Sequence, residues 1–340
     1  MSSLRLTVET ADLALKSPFR ISGHVFSTSP ILTVTLTRGD IWGRGEAAGV
    51  YYVGDTPAKG AAQIEQVRAA IEAGIDRDAL RTLLPPGGAR NAVDAALWEL
   101  EARETGRPVW ALAGLDEPRP LLTTVTLGAD DPAVMVERAT GYGFARALKL
   151  KLTGETDADI ARVRAVRAAR PDVWMGVDPN QGYTPDTIER LIPVLVACGV
   201  SLLEQPFRRG HEAELDGFDR VIPVAADESC LDLAELETLP GRFDVVNIKL
   251  DKCGGLTEGL MIARRAQQLG LKVMVGNMVG SSLAAAPGFI LGQLCDIVDL
   301  DGPLFITQDV VPGVRYDDGL VWSPAELWGA DARIAATAGA

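Results

Sequence analysis

Two lysines, Lys149 and Lys151, stand two residues apart in the apolar run Ala147–Leu152 (ALKLKL). Side chains alternate between the two faces of a β-strand, so both lysines point to one face and the leucines to the other. Two ammonium groups on a buried face are costly unless opposite charge lies near them. Taken alone, the pattern is more typical of a solvated edge strand whose lysines face water.

Each of the next three apolar runs ends in a carboxylate: Asp178 in GVDPNQG, Glu204 in LLEQPF and Asp227 in AADES. A single acidic residue at a strand end is often only the N-cap of the following helix. Three in register would repel one another, and a shared cation relieves that repulsion. Because the set holds oxygen ligands and no Cys or His, we expect one Mg²⁺ per subunit, with Mn²⁺ as the second choice.

A further lysine, Lys249, lies near the end of the run Val245–Leu250, with Lys252 close behind. If the strands of Lys151 and Lys249 lie opposite each other in a barrel, their ammonium groups face each other across the metal. One lysine would then remove the α-proton of a metal-bound carboxylate and the other would return it from the opposite face, which inverts one carbon. The metal and Lys149 would stabilise the enolate, and burial with nearby positive charge predicts lysine pKa values lowered toward neutrality.

A second acidic pair, Asp299 and Asp301, lies in the sequence IVDLD and shares one strand face. Far from the metal strands around a barrel, such a pair is well suited to hold a substrate ammonium group. For Asp301 a turn-capping role is the alternative, because Gly302 and Pro303 follow it.

The elements that would position these residues are short β-branched runs alternating with Ala- and Arg-rich helical stretches from about Leu122 onward. The predicted strands are Thr123–Leu127, Ala147–Leu152, Val173–Val177, Ser201–Glu204, Val224–Ala226, Val245–Leu250, Lys272–Val275 and Ile297–Leu300. The chemistry-bearing residues from Lys151 to Lys249 follow at intervals of 27, 26, 23 and 22 residues. That regular spacing is typical of a parallel β/α barrel. An open doubly wound sheet would want a Gly-rich phosphate turn after its first strand, and we find none.

The first third of the chain is predicted to be a small α+β domain. Its predicted elements are strands at Ser3–Thr10 and Ile31–Arg38, a turn at Gly39-Asp40, a loop over Lys16–Pro30, and helices at Ala61–Ala73 and Ala89–Thr105. We therefore expect a capping domain at 1–118, a barrel at 119–304, and a C-terminal segment at 305–340 that returns to the capping domain.

Composition limits the classes of function. A formal charge of −13, from 33 basic and 46 acidic residues, argues against a nucleic-acid partner. No apolar run is long enough for a membrane helix. The four scattered cysteines and the absence of a secretory N-terminus indicate reduced thiols in a cytoplasmic protein. With only two histidines, a His-based zinc site and a protease-type triad are both disfavoured.

Together these motifs resemble the enolase superfamily and, within it, the muconate-lactonising subgroup. The resemblance rests on KLK at 149–151, VDPNQG at 177–182, EQP at 204–206, ADES at 226–229 and NIKLDKCGG at 247–255, and on PF at 18–19, GRGEA at 43–47 and AVDAALWELEARETGRPVWALAG at 92–114. It implies a (β/α)₇β TIM-like barrel with an N-terminal α+β capping domain completed by the C-terminal tail. The residues it implies are Asp178, Glu204 and Asp227 as Mg²⁺ ligands, Lys151 and Lys249 as acid/base pair, and Lys149 as their helper. Pro179 departs from the DANQ sequence common in the family.

The Asp299-Leu300-Asp301 sequence is similar to the DxD pair with which dipeptide epimerases hold the substrate ammonium group. The resemblance therefore implies an isomerase that inverts the α-carbon of the C-terminal residue of a dipeptide. An L-Ala-D/L-Glu epimerase that serves the recycling of peptidoglycan peptides is the leading expectation.

The same resemblance implies further substrate-binding residues. Thr124 matches a position that helps bind the substrate carboxylate. His24, with Arg20 nearby, stands where some Ala-Glu epimerases carry an arginine in a mobile loop, and an ordinary loop residue is the alternative for His24. Selectivity for the side chain is expected in loops such as Lys16–Pro30 and Val275–Ser282, which contains Met278.

Other activities of the subgroup stay open, namely N-acylamino acid racemase, o-succinylbenzoate synthase and muconate cycloisomerase. Their substrates carry no free ammonium group for the acidic pair to bind. Sugar-acid dehydration is disfavoured because no histidine lies near strands six or seven. A metal-stabilised binding protein without catalysis is the alternative from another class. Association into a homo-oligomer is expected, as in other capped barrels of this kind.

Overall fold

The computed structural model describes residues 3–21 and 23–329, so the end of the C-terminal segment at 330–340 lies outside the described residues. The chain begins with a three-stranded antiparallel sheet of β1 (Arg5–Ile21), β2 (His24–Arg38) and β3 (Ile41–Ala47). The predicted loop over Lys16–Pro30 is wrong, because β1 and β2 continue through it as one long hairpin. The Ser- and Pro-rich sequence hides these strands, whose backbone groups pair with each other across a register break between Ala14 and Phe19.

Four helices accompany this sheet, namely α1 (Pro57–Glu72), α2 (Arg77–Leu83), α3 (Gly88–Thr105) and α4 (Val109–Leu112). Strand β3 lies so close to α3 that a Cβ on Gly43 would stand 2.1 Å from the carbonyl oxygen of Ala96. At Gly45 the corresponding distance to the carbonyl oxygen of Ala92 is 2.0 Å. Two glycines are thus required where a strand backbone packs directly on a helix.

Eight parallel strands form the barrel, each beside its neighbour in chain order. They are β5 (Val125–Leu127), β6 (Ala147–Lys151), β7 (Trp174–Asp178), β8 (Leu202–Glu204), β9 (Val224–Ala226), β10 (Val245–Lys249), β11 (Lys272–Gly276) and β12 (Ile297–Asp299). All eight predicted strands are present, with ends that differ by at most two residues. Between β12 and β5 the ring is joined by a hydrogen bond of 3.0 Å from the Thr124 N–H to the Val298 carbonyl. The predicted barrel with an α+β capping domain is therefore confirmed.

The barrel helices are α5 (Pro132–Gly141), α6 (Thr156–Ala169), α7 (Pro185–Ile188), α8 (Ile192–Ala197), α9 (Leu250–Cys253), α10 (Leu256–Gln268) and α11 (Ser282–Gly292). After β8 and β9 the crossovers carry only short 3₁₀ turns, at Glu212–Leu215 and Glu235–Thr238. Leu148 and Leu150 of β6 are fully buried in the main apolar core, which leaves the lysines of that strand for the opposite face. Among the described residues, no helix combines the length and apolarity needed to cross a membrane.

The C-terminal segment contacts both parts of the molecule. Two short strands, β13 (Arg315–Asp317) and β14 (Leu320–Trp322), extend a small antiparallel sheet from β4 (Leu121–Leu122). Farther along, the Trp328 indole N–H donates to the carbonyl of Arg44 in the capping domain at 3.0 Å. The domain boundaries stay a prediction.

Buried hydrogen bonds hold the capping domain over the carboxyl ends of the barrel strands. One oxygen of Asp251, which follows β10, accepts from the backbone N–H groups of Ala48 at 2.8 Å and Gly49 at 3.0 Å. At the end of β3, the Glu46 carboxylate accepts from the Ser281 N–H at 2.7 Å and from the Ser281 hydroxyl at 2.5 Å. The chain after β3 and the hairpin above it are thereby fixed over the barrel mouth.

Candidate active site

The mouth of the barrel, under the hairpin of β1 and β2, encloses a cavity of about 160 Å³. Lys151 and Lys249 both line it, from β6 and β10. These strands are four positions apart in a ring of eight, so the two lysines approach from opposite sides. The strand order therefore places the two lysines on opposite sides of the barrel, as expected from the sequence.

The three carboxylates at the ends of β7, β8 and β9 converge below this cavity. Asp178, Glu204 and Asp227 are all fully buried, and their candidate ligand oxygens lie within 4.8 Å of one another. Oxygen Oε2 of Glu204 is buried without a hydrogen-bond partner among the described residues. Three oxygen donors at this spacing, one of them without a hydrogen bond, match the ligand preference of a hard divalent cation.

The remaining oxygens of the three carboxylates are held by the protein. Asp178 accepts from the backbone N–H of Asn180 at 2.8 Å, and Glu204 accepts from the Asn247 side-chain amide at 2.8 Å. Lys252 donates to Oδ1 of Asp227 at 2.7 Å and to its carbonyl at 2.6 Å. Each carboxylate is thus oriented by an outer contact, as is common around metal sites.

Each of the two opposed lysines forms an ion pair with a carboxylate of this cluster. Nζ of Lys151 lies 2.5 Å from Oδ2 of Asp178, and Nζ of Lys249 lies 2.6 Å from Oδ2 of Asp227. Burial lowers the pKa of Lys249, but the carboxylates of Asp227 and Glu204 raise it more, so the protein groups together hold it well above its usual value. The prediction that burial and positive charge lower the lysine pKa values toward neutrality is therefore wrong at Lys249, because carboxylates dominate its surroundings.

The third lysine, Lys149, joins the metal cluster to the acidic pair. It forms a buried ion pair with Asp299, and its Nζ lies 3.4 Å from Oε2 of Glu204. Burial lowers the pKa of Lys149, but the Asp299 and Glu204 carboxylates outweigh burial and raise it. The ammonium form that these carboxylates favour suits the predicted helper role of Lys149, which is to stabilise negative charge.

Asp299 and Asp301 lie at the end of β12, where both line the cavity. Thr126 donates its backbone N–H to Oδ2 of Asp301 at 2.5 Å. Burial, followed by the negative charge of Asp299, raises the pKa of Asp301 to about 7. Burial also raises the pKa of Asp299, but its ion pair with Lys149 lowers it more. Asp301 is thus a second acidic group at the cavity, in addition to Asp299, whose charge is offset by Lys149.

The other predicted substrate-binding residues are placed less uniformly. Met278 lines the cavity, whereas the described lining does not include Thr124, Arg20 or His24. Thr124 donates its hydroxyl to Asp299 and so supports the acidic pair from behind. Arg20 and His24 are exposed on the hairpin. The His24 ring packs edge-on against Tyr51, with centroids 5.0 Å apart.

Several residues of the cavity were missed at the sequence level. Thr126 shares a strand face with Thr124, and Glu228 directly follows Asp227, so spacing could have identified both. Burial, and then the charge of Asp227, raises the pKa of Glu228 to about 8. Phe26 and Tyr51 carry no comparable signal, because they reach the cavity only through the hairpin and the 3₁₀ turn at Tyr51–Val53.

A parallel barrel under an α+β cap, with a buried carboxylate triad between opposed lysines, defines a class of capped-barrel enzymes. Residues 4–114 match the mandelate racemase/muconate lactonizing enzyme N-terminal domain, and residues 133–326 match the enolase C-terminal domain-like family. The chain therefore belongs to the enolase superfamily.

The similarity to known relatives extends over nearly the whole chain. An L-Ala-D/L-Glu epimerase of Escherichia coli is 35% identical over 90% of this chain and 95% of its own length. A hydrophobic dipeptide epimerase of Roseobacter litoralis is 36% identical over 93% and 95%. The crystal structure of a dipeptide epimerase from Methylococcus capsulatus, complexed with Mg and L-Arg-D-Lys, superposes with a TM-score of 0.88 at 29% identity, covering 95% of this chain and 98% of that one. These relatives are isomerases.

Proposed function

We propose that this protein is a dipeptide epimerase that moves one proton between Lys151 and Lys249 across the α-carbon of the C-terminal residue. The observation that carries the proposal is the pair of buried lysines four barrel strands apart, each beside a carboxylate of one cluster. Relatives that epimerise dipeptides support the same reaction. A binding protein without catalysis gives no reason for two buried ammonium groups on opposite walls.

The substrate carboxylate is held at the end of the cavity where Asp178, Glu204 and Asp227 meet. These three residues would hold one Mg²⁺, and the solved relative from Methylococcus capsulatus is complexed with Mg. Mn²⁺ is compatible with the same donors. When bound, the cation acts as a Lewis acid that polarises the substrate carboxylate. Lys149, 3.4 Å from Glu204, adds a fixed positive charge at the same end.

The two opposed lysines then exchange roles with the direction of the reaction. The lysine that acts as base takes the α-proton in its neutral form, which a cation held by Asp178, Glu204 and Asp227 would favour by offsetting the carboxylates that raise the pKa of Lys249. The electron pair of that C–H bond moves toward the carboxylate, where the positive charge of Lys149 stabilises it. The opposite lysine, which begins as an ammonium, gives its proton to the other face of the carbon. Atoms and charge balance, and the configuration at that carbon is inverted.

The acidic pair favours a dipeptide over the other substrates of the subgroup. A free α-ammonium group can form charge-assisted hydrogen bonds with Asp299 and Asp301, whereas an N-acylated amino acid or a muconate offers no such group. An L-Ala-D/L-Glu substrate, peptidoglycan peptide recycling, a cytoplasmic location and a homo-oligomeric state stay predictions.

The test is α-proton exchange in D₂O with Mg²⁺ and a set of L-Ala-containing dipeptides. Lys151→Ala and Lys249→Ala should each slow interconversion of the epimers by about 10²–10⁴-fold, the usual contribution of a general acid or base. Each variant should still exchange deuterium into one epimer only, and the two variants should act on opposite epimers. Lys272→Ala removes an exposed lysine at the start of β11 and serves as the matched control.

A wild-type protein that exchanges no dipeptide would refute the proposal. Equal residual exchange of both epimers by both lysine variants would refute the two-base mechanism while leaving the metal site in place. Turnover of N-acylated amino acids in preference to dipeptides would favour the racemase alternative.

A further inference from the structure

We infer that the substrates of this site carry an apolar side chain on the C-terminal residue, the residue that is epimerised, and that Phe26 and Tyr51 contact this side chain. The inference rests on the proposed function and specifies its substrate class. It differs from the expectation of a Glu side chain that the resemblance implied.

The two ends of the cavity have different walls. Tyr51 lies close to the metal end, since its pKa is raised by burial, lowered by the Lys249 ammonium and raised by the carboxylates of Glu228, Asp227 and Asp178. Its ring packs edge-on against Phe26 with centroids 5.3 Å apart, and both residues line the cavity. The side chain of the residue whose α-carbon lies between the two lysines therefore meets this aromatic wall.

The ammonium end has its own apolar contacts. Phe19 and Phe305 pack with ring centroids 5.1 Å apart, and Phe305 lies four residues after Asp301. Close to the same end, the carbonyl of Met278 would stand 2.8 Å from a Cβ built on Gly302. These residues suit the N-terminal residue of a dipeptide, so the Phe26 and Tyr51 wall is left for the C-terminal side chain.

Among the described residues that line the cavity, no uncommitted cation stands beside a substrate carboxylate on that side chain. The exposed His24 ring packs on the wall from outside this lining, with centroids 5.0 Å from Tyr51 and 5.9 Å from Phe26. Among the described residues that line the cavity, the basic ones are Lys149, Lys151 and Lys249. Each is already in an ion pair, with Asp299, Asp178 and Asp227 respectively. Burying an anion against aromatic rings without a cation is strongly unfavourable, whereas an apolar side chain gains by leaving water.

The first experiment compares dipeptides of matched length. We would measure kcat/KM for α-proton exchange with L-Ala-L-Met, L-Ala-L-Gln and L-Ala-L-Glu, and with L-Ala-L-Lys as the cationic counterpart. The Met dipeptide should exceed the Glu dipeptide by about tenfold or more, the scale of discrimination expected from an apolar pocket that must bury a charge. A preference for Glu or Lys would overturn the inference alone, whereas exchange with none of a wider set of dipeptides would overturn the proposed function and the inference with it.

The second experiment moves a positive charge into and beside the wall. Phe26→Lys should shift the Glu-to-Met ratio of kcat/KM by about tenfold or more toward Glu, since it supplies the missing cation. Val25→Lys adds the same charge one residue away, on a side chain that is 56% exposed and outside the described cavity lining, and should leave the ratio unchanged. Phe26→Leu, which keeps the wall apolar, should retain the preference for Met.

Equal shifts in Phe26→Lys and Val25→Lys would mean that long-range charge sets the ratio, and would overturn the contact with Phe26. A Phe26→Leu variant that loses the preference for Met altogether would also contradict an apolar contact as its origin. Circular dichroism of each variant separates these outcomes from misfolding of the hairpin.

Discussion

Basic and acidic side chains alternate in the site, so that every buried lysine of the cavity has a carboxylate beside it. The sequence was sufficient to place Lys149 and Lys151 on one strand face, since alternation in a strand depends only on spacing. It was not sufficient for the direction of the Lys249 pKa, which depends on how many carboxylates the closed barrel brings around that lysine. Local spacing is visible in a sequence, whereas the balance of charge across a barrel is a property of the closed structure.

Asp301 is expected to give the dipeptide reaction a pH dependence. Because burial and Asp299 raise its pKa to about 7, Asp301 is neutral at lower pH and loses its attraction for an ammonium group. We therefore predict that kcat/KM for a dipeptide falls as the pH drops below about 7, approaching tenfold per pH unit if this group alone controls binding. The measurement is the pH profile of α-proton exchange at fixed Mg²⁺.

Asp301→Asn is the matched variant for that profile. It should raise KM for the dipeptide about tenfold or more and remove the limb near pH 7, since asparagine does not titrate. Any exchange of an N-acetylated amino acid should be unaffected by the substitution. An unaltered profile in Asp301→Asn would assign the limb to another group.

The hairpin of β1 and β2 is the element that sequence patterns described least well. The residues at 16–30 are rich in Ser and Pro. Their extended conformation is held by pairing between β1 and β2 and not by burial of an apolar face, so no apolar pattern marks it in the sequence. The barrel strands, in contrast, are buried on both sides and appear as short apolar runs, which explains why all eight were predicted. The site residues that lie on barrel strands could therefore be predicted. The aromatic wall of Phe26 and Tyr51, which lies on the hairpin and on the turn after β3, could not.

The ends of β7, β8 and β9 should bind a divalent cation strongly enough to stabilise the fold. A ligand that binds only the folded state adds about 2.7 kcal/mol to the unfolding free energy when its concentration is 100 times its Kd. We predict that millimolar Mg²⁺ raises the Tm of the wild-type protein by several degrees and that EDTA reverses the effect. Differential scanning calorimetry, with calorimetric titration of Mg²⁺, measures both quantities without reference to activity.

Glu204→Gln should lose most of this Mg²⁺-dependent rise, because it removes the charge of one of the three carboxylates proposed to hold the ion. Glu189→Gln changes an exposed glutamate after α7 and should behave like the wild type. If Mg²⁺ stabilised both variants equally, the cation would be bound elsewhere on this acidic protein.

Over the whole molecule, the cap and the barrel are joined by buried acidic groups. One of them, Glu258 of α10, forms a 2.8 Å ion pair with Arg90 of α3, and others accept hydrogen bonds from neutral groups. Burial raises the pKa of Asp251 to about 6, and the carboxyl of Asp94 is affected in the same way and to a similar value. Both lie where cap and barrel meet, since Asp251 accepts from Ala48 and Asp94 accepts from the Thr257 N–H. A family resemblance gave the two-part architecture, but no pattern in the sequence identified these contacts, because each partner is distant along the chain.

Glu46, at the end of β3, allows this interface to be tested through the pH dependence of stability. Burial raises its pKa from 4.5 to about 7 against the opposing effect of the Ser281 hydrogen bonds. The folded state therefore binds this proton more tightly than the unfolded state, so the contribution of Glu46 is fully favourable below about pH 4.5 and is lost as the pH rises through about 7. The shift corresponds to up to about 3 kcal/mol of unfolding free energy.

Glu46→Gln keeps an acceptor for Ser281 but does not titrate, so the variant should become more stable relative to the wild type as the pH rises from 5 to 8 in urea denaturation. Glu137→Gln, on an exposed side chain of α5, should follow the wild type at every pH. A Glu46→Gln curve parallel to the wild type across this range would mean that the Glu46 carboxyl is not the group whose proton couples the cap to the barrel.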